Sequence, residues 1–237
     1  MSIETKEVQT NQQEKERISN YSRRNFLMLS GLVAGSGLLL TSCRDDSSTP
    51  IPMEPDGTVN LGSGDIGILN YAYALEQLEA AFYTQVALSP YANITNSELA
   101  LLSDIRDHEI AHREFFKNAL GDKAIPGLEV DFSKIDFNSR ESVLQTAKTF
   151  EDLGVSAYNG AGKLIVTPDY LVLAGKIVSV EARHAAYIRD LLSNGSFADN
   201  TVIDGNGLDK SRMPAEVLAA AAPFIKTAIT GKDLPTA

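Results

Sequence analysis

Two tetrapeptides in this chain place a glutamate three residues before a histidine: Glu109-Ile110-Ala111-His112 and Glu181-Ala182-Arg183-His184. The chain holds three histidines in all, so two of them stand in the same relation to a glutamate. Upstream of each pair lies a matching segment. LEQLEAAFY (75–83) aligns with FEDLGVSAY (150–158), which sets Glu76 opposite Glu151, Leu78 opposite Leu153 and Tyr83 opposite Tyr158. On a helix, residues three apart lie one turn apart on one face and can grip a single cation. Residues seven apart return to nearly the same face, so Glu76 looks the same way as Tyr83, and Glu151 the same way as Tyr158. A lone Glu-x-x-His is a weak signal, since most such pairs are solvated. Its repetition, together with the paired upstream glutamates, points to cation binding.

Four long amphipathic segments must position these residues. Apolar residues recur at three- and four-residue steps over 65–88, 96–120, 140–164 and 168–193. Thr95 with Glu98 forms a capping-box signature for the second segment, and Gly121 stands where a C-terminal glycine belongs. Asn138 or Ser139 caps the third. Thr167 is expected to cap the fourth, with Pro168 at its first position and Asn194-Gly195 at its end. Each segment spans roughly 37 Å at about 1.5 Å per residue. Short loops within each half imply antiparallel hairpins. The link over 121–138, with Pro126 and Gly127, reaches about 55–60 Å when extended, enough to return along the bundle. The fold expected is all-α: a four-helix bundle of the ferritin-like type, two antiparallel hairpins joined by one long crossover. A short C-terminal helix is expected near 214–227, and no β pattern competes.

The faces that carry the four glutamates are otherwise apolar, with Leu69, Tyr73, Leu102, Ile105, Phe116, Leu144, Ala147, Ile177 and Ile188. The carboxylates therefore point into the bundle. Four uncompensated carboxylates in one core would cost many kcal/mol. Two divalent cations balance that charge, and two imidazoles complete the coordination without adding to it. One Glu from each of two helices plus Glu-x-x-His from each of the other two is the pattern of di-iron and di-manganese carboxylate bundles.

Glu76, Glu109-x-x-His112, Glu151 and Glu181-x-x-His184 resemble the ferritin-like di-metal superfamily, and LEQLEAAFY with HEIAHREFF resembles most its exported ferritin-like domain family, which includes plant desiccation-related proteins. The resemblance covers about 65–193. It implies two iron or manganese ions, with Glu76 and Glu151 as terminal ligands, Glu109 and Glu181 bridging, and His112 and His184 each on one ion. It also implies that Tyr83 and Tyr158 donate hydrogen bonds that orient carboxylates; ordinary core tyrosines are the alternative. His108 is expected at the surface or rim, about 100° from Glu109. Glu79 reads as an extra ligand or as a solvated or outlying carboxylate. Asp107, Glu114 and Asp152 read as surface charges.

The 237 residues carry a formal charge of −10 and are 43% hydrophobic, enough for one core. That acidity argues against a nucleic-acid partner. The stretch 1–42 reads as a targeting segment. Ser22-Arg23-Arg24-Asn25-Phe26-Leu27 resembles a twin-arginine export signal, with the arginines Arg23 and Arg24 and with Met28 where Lys is frequent. Residues 26–42 carry no charge, and Leu40-Thr41-Ser42-Cys43 resembles a bacterial lipobox, which implies lipid attachment at Cys43; an uncleaved membrane anchor or a simply cleaved signal is the alternative. Cys43 is the chain's one cysteine, so disulfides and thiolate metal sites are excluded. Residues 43–64 read as a flexible tether, 65–194 as the bundle and 195–237 as an extension.

The expectation is a cell-envelope protein, lipid-anchored to the membrane after passage through export machinery, and potentially a homodimer. Its two divalent ions, iron or manganese, would act on O2, peroxide or Fe(II). The alternative is a stress- or desiccation-related protein in which metal only stabilises the bundle. A storage cage fits a lipid tether poorly, and a rubrerythrin-type electron carrier would need cysteines that are absent.

Overall fold

The computed structural model describes residues 53–236. The export signal with Arg23 and Arg24 and the lipid site at Cys43 lie outside the described residues. Four long helices dominate: α1 (Gly64–Leu88), α2 (Asn96–Leu120), α3 (Arg140–Gly162) and α4 (Pro168–Leu192), followed by a short α5 (Pro214–Ala221). The ends of the four long helices lie within two residues of those read from the apolar periodicity, whereas α5, expected over 214–227, stops at Ala221 and passes into a single tight turn over 222–224. α1 packs along α2 and α3 along α4, which gives two hairpins, with α1 and α3 also in contact. No helix among the described residues is long and apolar enough to cross a membrane.

Local chemistry accounts for most of the boundaries. Thr95 accepts a hydrogen bond from the Glu98 amide at 3.1 Å, and Ser139 accepts one from the Ser142 amide at 3.3 Å. α2 stops at Gly121, whose φ of +54° suits glycine. The start of α4 differs from expectation. Thr167 makes no side-chain cap; the Asp65 carboxylate, at the opening of α1, accepts the Val166 and Thr167 amides at 2.8 Å each. That carboxylate fixes the two residues that lead into α4, rather than capping its first turn, and ties the hairpins together at that end.

α1 is buried on nearly every side, from Gly67 through Ala80 without interruption, as befits a helix covered by more than its bundle partners. The crossover runs along it. Asn70 holds the crossover through Lys123 O and the Ile125 amide, and Gln77, seven residues on, accepts the Leu128 amide. Phe132 and Phe137 of the crossover pack on Phe82 of α1 at 6.0 Å between ring centroids.

Two short parallel strands, β1 (Val59–Asn60) and β2 (Ile229–Thr230), join the start and end of the described chain. Val59, Asn60 and Leu61 are buried, so the flexible tether expected over 43–64 ends before them. Strands of two residues are too short to show periodicity, and their partner lies at the far end of the sequence. The extension is fastened to α3 at Gly160. A Cβ there would lie 1.8 Å from Arg212 O, and the Arg212 amide donates to Ser156 O at 2.9 Å. Only glycine permits that approach.

Candidate metal centre

Six side chains from four helices meet in the middle of the bundle. α1 supplies Glu76, α2 supplies Glu109 and His112, α3 supplies Glu151, and α4 supplies Glu181 and His184. The four glutamates are at most 1% exposed. Such residues are almost never fully buried without a counter-charge.

The contacts divide into two overlapping groups. His112 Nδ1 lies 2.9 Å from Glu181 Oε1, 3.5 Å from Glu76 Oε2 and 3.7 Å from Glu109 Oε2. His184 Nδ1 lies 2.9 Å from Glu109 Oε1, 3.4 Å from Glu181 Oε2 and 3.5 Å from Glu151 Oε2. Glu109 and Glu181 therefore each turn one oxygen towards each histidine, whereas Glu76 serves only the first group and Glu151 only the second. In each group of four, one ligand atom per residue lies within 4.8 Å of the others.

These atoms converge as close ion pairs, two of them at 2.9 Å, but without the alignment of hydrogen bonds. Among the described residues, eight of the eleven buried side-chain polar atoms without a hydrogen-bond partner belong to the cluster: both oxygens of Glu109 and Glu181, one each of Glu76 and Glu151, and Nδ1 of both histidines. Unpaired buried polar atoms are costly and rare in native proteins. Lone pairs aimed at a common point are what a cation needs. Two donors bound to one ion at about 2.1 Å and at right angles stand about 3.0 Å apart, close to the shortest contacts seen here. The cluster can hold a metal ion.

The other oxygens of the two terminal glutamates are held by tyrosines of the opposite hairpin. Tyr83 of α1 donates to Glu151 Oε1 of α3 at 2.5 Å, and Tyr158 of α3 donates to Glu76 Oε1 of α1. The repeat in the sequence is thus a crossed exchange in space. It leaves one oxygen of each carboxylate for the centre and fixes its direction.

Protons and cations compete for this charge. Burial raises Glu109 well above the ordinary carboxylate range, and the Glu181 charge adds to that. Burial lifts Glu151 to about 7, against the downward pull of His184. Glu181 falls to about 2, because His112 and His184 together outweigh its burial. For both histidines burial acts downward, and the surrounding carboxylates override it and raise them. Tyr83 and Tyr158 are raised by burial and then by the neighbouring carboxylates, so both remain neutral donors.

Sequence reasoning missed a seventh participant. His108 is exposed, as expected of a rim position, yet its Nδ1 lies 2.9 Å from His184 Nε2. Its adjacency to Glu109 gave no hint, because the contact is made by the neighbouring helix. Glu79 is 4% exposed and stands outside both groups but within the field of all four cluster glutamates, so of the three readings it is the carboxylate just behind the ligands, not a ligand or a solvated charge. Asp107 and Glu114 pair with their neighbours Arg106 and Arg113 near the surface. Asp152 is more than a surface charge: it binds buried Arg189 at 2.6 Å. Beside the centre, an apolar cavity of about 30 Å³ is lined by Leu75, Phe116, Ala157 and Tyr158 among others.

The fold and these residues together define a carboxylate–histidine helical bundle. The family model for the ferritin-like domain matches residues 64–194, and the chain belongs to that family. No curated protein matches it.

Proposed function

We propose that this protein carries a di-iron or di-manganese centre and acts as an oxidoreductase of the cell envelope on O2, peroxide or Fe(II). The observation that carries this reading is the set of eight buried, unpartnered ligand atoms in two overlapping groups. Mixed carboxylate and imidazole donors suit iron and manganese, whereas zinc favours four-coordinate sites with nitrogen and sulfur ligands. Glu76, Glu109, His112 and Glu181 would hold one ion and Glu109, Glu151, Glu181 and His184 the other. When bound, such ions supply the electrons or electron holes that O2, peroxide or Fe(II) chemistry requires.

The chain's own part is positional and electrostatic. Glu109 and Glu181 turn one oxygen to each histidine and would thereby be available to both ions. Tyr83 and Tyr158 keep Glu151 and Glu76 from swinging out of the site. The enclosing apolar side chains exclude bulk water from the carboxylates.

The near-complete enclosure of the four glutamates supports a second reading, in which bound metal stabilises the bundle and nothing is turned over. Elemental analysis of protein purified without added metal tests the common premise. About two ions of iron or manganese per chain are expected for the wild type and none for Glu109→Ala plus Glu181→Ala. Peroxide consumption or Fe(II) oxidation lost in that double variant supports the enzyme; no activity in a loaded wild type supports the scaffold.

The location follows from the N-terminal sequence. Export through the twin-arginine signal at Arg23 and Arg24 and lipid attachment at Cys43 would place the bundle outside the cytoplasm on a membrane tether. Cys43→Ser should then release the protein from the membrane fraction and abolish labelling by a fatty-acid probe. Retention of both would refute the lipid anchor.

A further inference from the structure

The two halves of the centre are not equivalent, and the difference lies outside the ligand set. Matching Glu109-x-x-His112 to Glu181-x-x-His184 puts His108 opposite Val180. His108 is thus a departure from the repeat, an imidazole where the other half has an aliphatic side chain. It lies on α2, but it serves a histidine of α4. His108 Nδ1 stands 2.9 Å from His184 Nε2, the planes of the two rings differ by 6°, and their centroids are 5.2 Å apart. That separation is too long for rings lying face to face and fits rings joined edge to edge through the two nitrogens. His184 is 4% exposed, and its other nitrogen, Nδ1, is the one turned to Glu109, Glu151 and Glu181.

On the reading of the cluster as a two-ion centre, we propose that His108 is a positioning residue for His184, and that it makes the ion held by Glu109, Glu151, Glu181 and His184 the more tightly bound of the two. A metal-bound His184 keeps no proton on Nδ1, so its Nε2–H must donate, and His108 Nδ1 is the acceptor in line with it. That bond fixes the tautomer and the ring plane and raises the basicity of the ligating nitrogen. Partners of this kind are commonly worth 10–100-fold in metal affinity. Val180 offers His112 no equivalent acceptor. The ions therefore load in order, the His184 ion first.

The test uses Mn(II) as the probe on purified, metal-stripped protein, with binding followed by equilibrium dialysis. Anomalous scattering from crystals grown with one equivalent of Mn(II) identifies the ion that is bound first. The wild type should bind in two steps, with the first ion at His184. His108→Ala and His108→Phe, the second of which keeps a ring but no nitrogen, should weaken that step by about 10–100-fold and leave the other unchanged. His108→Asn sets an amide oxygen close to the place of Nδ1 and should restore it. Isotherms of the alanine and phenylalanine variants that match the wild type would overturn the proposal. So would a loss confined to the His112 ion, or an asparagine variant as weak as alanine. A wild type that binds no Mn(II) would instead overturn the two-ion reading itself, and the order of loading with it.

Discussion

Glu79 and Gly154 occupy equivalent positions in the two halves of the repeat, and in the folded chain they face each other: a Cβ on residue 154 would lie 3.2 Å from Glu79 Oε1. The carboxyl of one half fills the space left by the missing side chain of the other. Burial, followed by the charges of Glu109 and Glu181, raises Glu79 well above the ordinary range, so it sits there as a neutral acid. The pseudo-twofold relation between the hairpins therefore holds for the ligands and fails one turn away, at Glu79 and at His108.

This contact makes the sign of a glycine substitution depend on its neighbour. In an unobstructed helix interior, Gly→Ala stabilises by about 1 kcal/mol. Gly154→Ala in the wild type should instead destabilise by about 1 kcal/mol, because the buried carboxyl cannot move away without losing its packing. In a Glu79→Ala background the same change should stabilise. A double-mutant cycle by urea unfolding measures the coupling. Additive effects would show that residue 154 and Glu79 do not touch.

Metal-stripped protein should be more stable in mild acid than in mild base. Glu151 is raised from 4.5 to about 7, so between those values the folded chain holds a proton that the unfolded chain has released. Stability then falls as pH rises. Its contribution is complete below 4.5 and is lost as pH passes through about 7; the raised Glu109 acts in the same direction. Glu181 works the other way, but only as pH falls towards 2. Calorimetry with chelator present should show Tm dropping by on the order of 5–10 °C between about pH 5 and pH 8. Added Mn(II) should reverse the slope, because cations displace these protons and bind better as pH rises. A metal-stripped Tm that climbs over that interval would contradict this account.

The long-range order of the bundle was legible because it is written in local terms. Apolar spacing and caps such as Thr95 and Gly121 located the four long helices to within two residues, and the repeated Glu-x-x-His named residues that do converge. What escaped notice depends on contacts between distant segments. Asp65 holds the entry to α4, the Val166 and Thr167 amides, across a hundred residues of sequence. Periodicity set His108 at the rim but could not show that His184 reaches that rim. Glu79 read as an extra ligand, a solvated charge or a carboxylate just behind the ligands; burial beside them favours the last, and the facing Gly154 shows where the space for it comes from. Strand β1 was invisible because its partner is β2, near the other end of the chain.

The crossed tyrosines offer a graded test of the carboxylate geometry. Tyr83→Phe removes the bond to Glu151, and Tyr158→Phe removes the bond to Glu76. Each keeps the ring, so packing changes little. Hydrogen bonds to charged groups contribute about 1.5–3 kcal/mol. Each variant should therefore weaken Mn(II) binding by about tenfold at the ion its glutamate serves, the His184 ion for Tyr83 and the His112 ion for Tyr158. Unchanged affinity at both ions in both variants would mean that the tyrosines are only packing.

Arg189 carries a prediction about the extension rather than the centre. It is 2% exposed, and its guanidinium binds Asp152 at 2.6 Å, Asp199 at 2.7 Å, Ser196 O at 3.0 Å and Thr201. One side chain of α4 thus joins α3 to the loop that follows α4. Arg189→Ala would leave Asp152, already raised by its burial, without its cation, and would release the loop from the bundle. Breaking a buried pair in this way costs about 3–5 kcal/mol. The expected result is a lower Tm, together with faster amide exchange over 196–212, while Mn(II) binding is kept, since Arg189 bonds to none of the ligand side chains. Protection of 196–212 at the wild-type level in the variant would show that the anchor at Arg212 and Gly160 holds the extension by itself.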